Sequence, residues 1–202
     1  RSRCRSHALI HNVIGRPVMP KIKVELIENF LIVWDSTEGS KLYKTAYYGK
    51  PVGIPKPKIP EFDVPLILDL MEGLYLAETD IIEIYEKPDE TKVNLKKLRQ
   101  KAKQLYDEFE DKYAVYRDFR EKGLVVTPGI KFGCDFAVYK YGPGIEHAPY
   151  MVTVKKSGSE ISATEIVKNG RLATTVRKRF IIAVPDLSSN QIKYLMFKWF
   201  KA

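Results

Sequence analysis

The chain contains few of the residues that mark disulfide-linked, zinc-binding or membrane proteins. Only two of its 202 residues are cysteines, Cys4 and Cys134. Cys4 lies in a polar segment and Cys134 in an apolar strand pattern, so the pair predicts neither a disulfide framework nor a zinc site. No apolar run reaches about 18 residues, which excludes a transmembrane helix. The N-terminus lacks the apolar core of a signal peptide, and we expect a soluble cytoplasmic protein.

Acidic residues are too few to balance the basic ones. The sequence has 34 Lys and Arg against 25 Asp and Glu, a formal charge of +9. Its isoelectric point of about 9.4 favours polyanionic partners, nucleic acid first and an anionic membrane second. Apolar residues make up 45% of the chain, enough for a hydrophobic core.

The length suits one large domain or two small ones. Because strand patterns dominate after about residue 107, we predict a small N-terminal α/β domain over 19–106 and a C-terminal domain over 107–202. Residues 1–18 are interpreted as an extension upstream of a start at Met19, or as added residues. The alternative for this segment is a basic RNA-binding arm containing Arg1, Arg3 and Arg5.

Strand and helix patterns alternate in the N-terminal half. Leu66, Leu70 and Leu74 recur at helical spacing and predict a helix over 65–78. The segment 49–60 contains four prolines and is predicted to be irregular. The other predicted elements are strands at 21–26, 29–35 and 80–85 and helices from Asp35 or Ser36 through Tyr43, from Asn94 to Leu105 and from about Glu108 to Lys122.

The C-terminal half reads as a mixed, mainly antiparallel sheet flanked by helices, which gives an α+β fold overall. A capping box at 162–165 opens a helix that extends to about Thr175. Within 131–139, alternation predicts one buried face, with Tyr139 on the opposite face. That buried face consists of Phe132, Cys134, Phe136 and Val138. The remaining predicted strands are 124–127, 148–156, 178–184 and 191–200.

Tyr139, His147 and Lys178 have the side chains needed to cleave RNA without a metal ion. Attack by the 2′-hydroxyl on its own phosphate requires a base, an acid for the leaving 5′-oxygen and a cation for the phosphorane. Each residue also has a plainer interpretation. The tyrosine could be a packing residue, the histidine an ordinary loop residue and the lysine part of a solvated basic cluster.

Several segments resemble the tRNA-splicing endonuclease family of archaea. The C-terminal matches are YRDFREKGLVV (116–126), GIKFGCDFAVY (129–139) and GRLATTVRK (170–178), together with the Gly/Pro turn before His147. In the N-terminal half, GKPVG (49–53) and LMEGLYLAE (70–78) are similar to the family's N-terminal domain. The resemblance covers roughly residues 21–202.

The resemblance implies an activity and a set of catalytic residues. The family's triad falls on Tyr139 as general base, His147 as general acid and Lys178 as the fixed charge on the phosphate. The enzyme is then expected to cut precursor tRNA at both intron ends, within a bulge–helix–bulge RNA fold. Its products would carry a 2′,3′-cyclic phosphate and a 5′-hydroxyl, and no metal or nucleotide cofactor is expected.

The resemblance also implies RNA-binding residues. A cationic pair holds a bulged base in the family, and the matching positions are Arg171 and Lys193; a guanidinium plane can stack on an unpaired base. The proline-rich segment 49–60 is similar to an insertion of crenarchaeal-type members that contacts RNA. Its lysines are Lys50, Lys56 and Lys58; the alternative is an ordinary linker.

Subunit contacts are implied near the C-terminus. The apolar run 192–200 is expected to pair with its counterpart in a second subunit and to bury Trp199 together with Phe197 or Phe200. Asp186 lies in a loop that inserts between domains of another subunit in the family. We expect a heterotetramer of two catalytic and two structural subunits, with a homotetramer as the runner-up.

Two other functions compete with this interpretation. A non-catalytic structural or RNA-binding subunit would need none of the three catalytic side chains, and their presence argues against it. A metal-dependent nuclease is suggested weakly by Pro185 and Asp186 followed by Lys193, but the spacing is short and the second acidic position holds Gln191.

Overall fold

The computed structural model describes residues 21–55, 57, 59–175 and 178–197 of the chain. Two mixed sheets and five helices form the described part, which confirms the predicted α+β class. None of the helices within these residues is both long enough and apolar enough to cross a membrane.

The first sheet contains six strands in the order β3-β4-β2-β1-β5-β6. β1 and β5 pair in parallel, and the other neighbours are antiparallel. Its strands are β1 (Ile22–Ile27), β2 (Phe30–Val33), β3 (Lys50–Pro51), β4 (Leu66–Leu68), β5 (Ile82–Glu86) and β6 (Thr91–Lys92). The helices of this half are α1 (Ser36–Ala46), α2 (Leu70–Glu78) and α3 (Leu95–Leu105).

The second sheet contains five strands in the order β11-β10-β9-β8-β7, and β9 and β10 are its parallel pair among the described strands. The strands are β7 (Val125–Pro128), β8 (Phe136–Tyr139), β9 (Tyr150–Val154), β10 (Arg179–Asp186) and β11 (Gln191–Phe197). The helices are α4 (Phe109–Glu121) and α5 (Ala163–Thr175). This mainly antiparallel arrangement agrees with the prediction.

Side-chain caps fix where the N-terminal helices begin. The Asp35 carboxylate accepts the N–H groups of Thr37 and Glu38, which starts α1. Asp69 and Glu72 form a capping box that starts α2. The predicted helix over 65–78 is therefore wrong in its first part, where Leu66–Leu68 pairs with β2 as strand β4. Asp69 separates the two elements, since an extended N-cap residue cannot lie inside a helix.

The predicted strand 131–139 is also wrong in its first half. Residues Ile130–Phe132 form a 3-10 turn, and Gly133 follows it in the left-handed region at φ 67°. This turn breaks the alternation. As a result Phe132 and Cys134 pack with a small apolar cluster, whereas Phe136 and Val138 belong to the main core.

The main core runs continuously from the first sheet through α2, α3 and α4 to one face of the second sheet. The small cluster lies on the other face of the second sheet, around Met151, Phe180 and Ile182. Arg120 of α4 is buried where the two halves meet. Its guanidinium donates to Tyr116 Oη at 2.9 Å, Ala46 O at 2.8 Å and Val126 O at 3.0 Å.

Candidate active site

The strand register brings Tyr139 and Lys178 to the same end of the second sheet. Ala137 of β8 and Phe180 of β10 both pair with Met151 of β9, which lies between them. Tyr139 lies two residues after Ala137, and Lys178 lies two residues before Phe180, so both flank the segment that leads into β9. In that segment Pro149 O accepts from Arg179 N at 2.8 Å. Because side chains alternate along a strand, both residues lie on the face that carries the small cluster.

Tyr139 is the last residue of β8 and is half-buried. It pairs with Val125 of β7 and follows Val138, which faces the main core. The prediction that Tyr139 lies on the face opposite Phe136 and Val138 is therefore confirmed. Strands in a sheet are about 4.8 Å apart, so two strand spacings, roughly 10 Å, separate the backbone of Tyr139 from that of Lys178.

The ammonium group of Lys178 is held in a defined position. Its Nζ donates to Ala148 O at 2.6 Å and lies 4.9 Å from the centre of the Phe132 ring. Partial burial lowers the pKa of Lys178 from its usual value, and the neighbouring Cys134 opposes this effect. Burial raises the pKa of Cys134 to about 11, so its thiol is neutral and is not a nucleophile near pH 7.

His147 leaves the loop that joins β8 to β9. In this His147 loop, defined here as residues 140–147, the Glu146 carboxylate accepts the N–H groups of Lys140 and Tyr141 at 2.5 and 2.6 Å. His147 itself is exposed, whereas the next residue, Ala148, is 3% exposed. His147 thus lies at the surface, one residue before the carbonyl group that holds Lys178.

The predicted RNA-binding residues are spread over three elements. Arg171 is exposed on α5, the helix that leads to Lys178. Lys193 is exposed on β11, opposite Val184 of β10. Lys50 is exposed on β3, at the edge of the first sheet. Lys56 and Lys58 lie outside the described residues. The assignment of these residues to RNA contacts stays a prediction.

The predicted interface residues are found near the edge of the second sheet. Phe197 ends β11 and stacks on Phe180 at a centroid distance of 5.9 Å. Trp199 lies outside the described residues. Asp186 ends β10, and hydrogen bonds donated by Ser188 and Ser189 lower its pKa to about 2. Among the described residues, no group of three or more His, Cys, Asp and Glu side chains could hold a metal ion.

Sequence reasoning missed Phe132 as a neighbour of the site. Its position in an apolar alternation suggested a core strand, but its ring lies against the Lys178 ammonium. The flanking residues Gly129 and Gly133 were the available signal, since glycines on both sides of a short segment indicate a turn.

Comparison with known proteins agrees with this architecture. Residues 22–99 match the model of the tRNA intron endonuclease N-terminal domain, and residues 109–194 match that of the tRNA intron endonuclease catalytic C-terminal domain. A tRNA-splicing endonuclease from Hyperthermus butylicus is 44% identical over 180 residues, which is 89% of this chain and 99% of the relative.

Two further relatives carry the same name. A tRNA-splicing endonuclease from Sulfurisphaera tokodaii is 42% identical over 178 residues, covering 88% of this chain and 98% of the relative. One from Saccharolobus islandicus is 39% identical over 181 residues, covering 89% and 99%. Both halves of the chain are matched, and the chain therefore belongs to the tRNA intron endonuclease family.

Proposed function

We propose that this chain is a catalytic subunit that cuts precursor tRNA at intron boundaries within a bulge–helix–bulge fold, without a metal ion. The single observation that carries the proposal is the row formed by Tyr139 and Lys178 across β9, with His147 in the adjoining loop. Three side chains of complementary chemistry at one end of a sheet can surround one phosphodiester.

In the proposed reaction, every proton transferred and every bond broken is accounted for by the three residues and the RNA. Tyr139 takes the proton of the 2′-hydroxyl, and the 2′-oxygen forms a bond to phosphorus. As the bond to the 5′-oxygen breaks, His147 donates its proton to that oxygen. The ammonium of Lys178 stabilises the negative charge of the phosphorane. The products are a 2′,3′-cyclic phosphate and a 5′-hydroxyl, and no water molecule is consumed.

The same proposal assigns RNA contacts to Arg171, Lys193 and the lysines of segment 49–60.

We further propose that the C-terminal strand forms a contact between subunits. β11 is the outer strand of its sheet among the described residues. Leu195 and Met196 on it are 49% and 46% exposed. An apolar edge strand of this kind favours pairing with a second subunit. We propose a tetramer with structural partner chains.

The deciding experiment is cleavage of a minimal bulge–helix–bulge RNA in excess EDTA, with the product ends identified. Lys178→Ala is expected to reduce the single-turnover rate by about 10²- to 10³-fold while RNA affinity changes little. Lys41→Ala is the matched control, because Lys41 is an exposed lysine paired with Glu38 on α1. Products ending in a 3′-hydroxyl, or loss of cleavage in EDTA, would contradict the mechanism.

The same assay tests the alternative that the chain is a non-catalytic structural or RNA-binding subunit. If the assembled wild-type chain binds the RNA but leaves it whole, the chain is a non-catalytic subunit. Light scattering on the chain expressed alone separates the two assemblies, since a stable homotetramer would rule out the heteromeric one.

A further inference from the structure

Gly142 of the His147 loop packs directly against a tyrosine of the N-terminal half. A Cβ atom added at Gly142 would lie 2.2 to 2.7 Å from three ring carbons of Tyr47. Gly142 is buried and adopts φ 124°, a conformation that favours glycine. The loop backbone therefore lies against the Tyr47 ring, at a distance that no other residue type permits without movement.

Tyr47 is held at the C-terminal end of α1. Tyr47 ends α1 in the left-handed conformation, and its N–H donates to Tyr43 O at 2.7 Å. Its ring meets the Tyr43 ring edge-on at a centroid distance of 5.2 Å. The preceding carbonyl group, Ala46 O, accepts from Arg120 of α4. Contacts from both halves of the molecule thus hold the end of α1 that carries Tyr47.

Hydrogen bonds inside the loop link Gly142 to Glu146, the residue before His147. Gly142 O accepts from Ile145 N and Glu146 N, both at 3.3 Å. The Glu146 carboxylate closes the loop onto the N–H groups of Lys140 and Tyr141. A displacement of Gly142 is therefore passed to Glu146 and to the adjacent His147.

We infer that Tyr47 is a positioning residue for His147, so that the N-terminal half sets the place of the general acid. The inference rests on the proposed role of His147. A misplacement of about 1 Å at a reacting group can cost about 10²-fold in rate. RNA affinity should change little, because neither Tyr47 nor Gly142 is among the proposed RNA contacts.

The test compares four single variants in the assembled enzyme by single-turnover cleavage at saturating RNA. Tyr47→Ala and Gly142→Ala are expected to slow cleavage roughly 10- to 100-fold, with the dissociation constant for RNA changed less than about threefold. Tyr47→Phe keeps the ring and should retain the wild-type rate. Gly144→Ala is the matched control, since Gly144 also has a positive φ but nothing lies within 4 Å of an added Cβ.

The double variant Tyr47→Ala/Gly142→Ala tests the contact itself. Removing the ring removes the obstacle to the new Cβ but not the backbone strain at φ 124°, so adding Gly142→Ala to Tyr47→Ala should slow cleavage no more than Gly144→Ala slows the wild type. If Tyr47→Ala fails to fold, Tyr47→Leu takes its place. Additive losses in the double variant, or a Gly142→Ala rate equal to that of Gly144→Ala, would overturn the inference.

A second measurement separates failure of the inference from failure of the proposed function. The ring resonances of His147, assigned with His147→Ala, report the loop's position whether or not the residue acts in catalysis. If His147→Ala cleaves normally, the proposed acid is wrong, yet the contact still predicts shifted His147 resonances in Tyr47→Ala. Unchanged resonances in both Tyr47→Ala and Gly142→Ala would refute the positioning role.

Discussion

Replacing Arg120 by methionine tests whether the buried guanidinium holds the two halves of the molecule together. The Arg120 side chain is 1% exposed and lies 3.7 Å from the Glu72 carboxylate. It also lies 4.3 Å from the centre of the Tyr48 ring. Methionine fills much of the same volume, so the change removes charge and hydrogen bonds more than packing.

The expected loss of stability follows from the groups left behind. Removing one partner of a buried ion pair costs about 3–5 kcal/mol, because the other charge stays buried. Ala46 O and Val126 O each lose a donor, at about 1–3 kcal/mol per orphaned group. These losses overlap, and we expect a total near 4 kcal/mol, or a fall in Tm of roughly 8–16 °C.

The loss should also depend on pH. Burial raises the pKa of Glu72 to about 7, with Asp69 adding to the rise and Arg120 opposing it. Without Arg120 the pKa rises further. Below about pH 4.5 Glu72 is protonated in the folded and unfolded states, so the ion pair contributes nothing there. As pH rises above about 7 the pair becomes charged in the parent protein, and the variant's deficit grows toward about 1.4 kcal/mol for each added unit of pKa.

Urea unfolding followed by circular dichroism at pH 5 and pH 8 measures both effects. Arg117→Met is the control, since Arg117 lies on the same helix but is 39% exposed and pairs weakly with Glu121 at 3.7 Å. That control should lose at most about 0.5 kcal/mol. A loss below about 1 kcal/mol for Arg120→Met at pH 8, or a deficit larger at pH 5, would refute the reasoning.

Two further changes test local packing and electrostatics. Gly73→Ala should lower the free energy of unfolding by about 1–3 kcal/mol, because its Cβ would lie 1.8 Å from Leu31 Cδ1 in the core. Urea unfolding measures the loss. Adding Leu31→Ala relieves this clash, so the double variant should lose less stability than the sum of the two single variants. Ser188→Ala/Ser189→Ala should raise the pKa of Asp186 from about 2 toward its usual range, as the hydroxyl donors to the charged form are lost. The stabilisation from Asp186 is present above its unfolded pKa and is lost as pH falls through the folded value, and a carboxyl NMR titration with an unchanged midpoint would contradict this account.

Local signals in the sequence predicted most helix ends. Asn94 caps α3 through Lys97 N at 2.8 Å, and the predicted helix from Asn94 to Leu105 is confirmed. Gly123, at φ 76°, follows the end of α4 as expected for a helix stop. These features depend on neighbours within a few residues, which is why the sequence alone reveals them.

The errors have a common physical cause. Leu66, Leu70 and Leu74 satisfy helical spacing although the first of them lies in a strand, and only the capping box at Asp69 marks the change. Phe132 satisfied strand alternation although it lies in a turn. Periodicity of apolar residues is shared by neighbouring elements, so it cannot by itself locate the point where one ends.

The identities of the candidate catalytic residues were readable from motifs, but their supports were not. Tyr47 and Gly142 are far apart in the chain, and no local pattern joins them. The same holds for Arg120 and Ala46. Contacts of this kind arise from how the two sheets are joined through the shared core, which a single sequence does not specify.

The carbonyl group of Ala148 gives Lys178 a fixed resting place before any substrate arrives. A long, flexible side chain ordinarily loses conformational entropy when it binds a ligand. Here that freedom is lost during folding, because the backbone and the Phe132 ring already confine the ammonium. An ammonium carries three donors, and the carbonyl takes one of them. In the proposed mechanism, contact with a phosphate therefore need not immobilise this side chain.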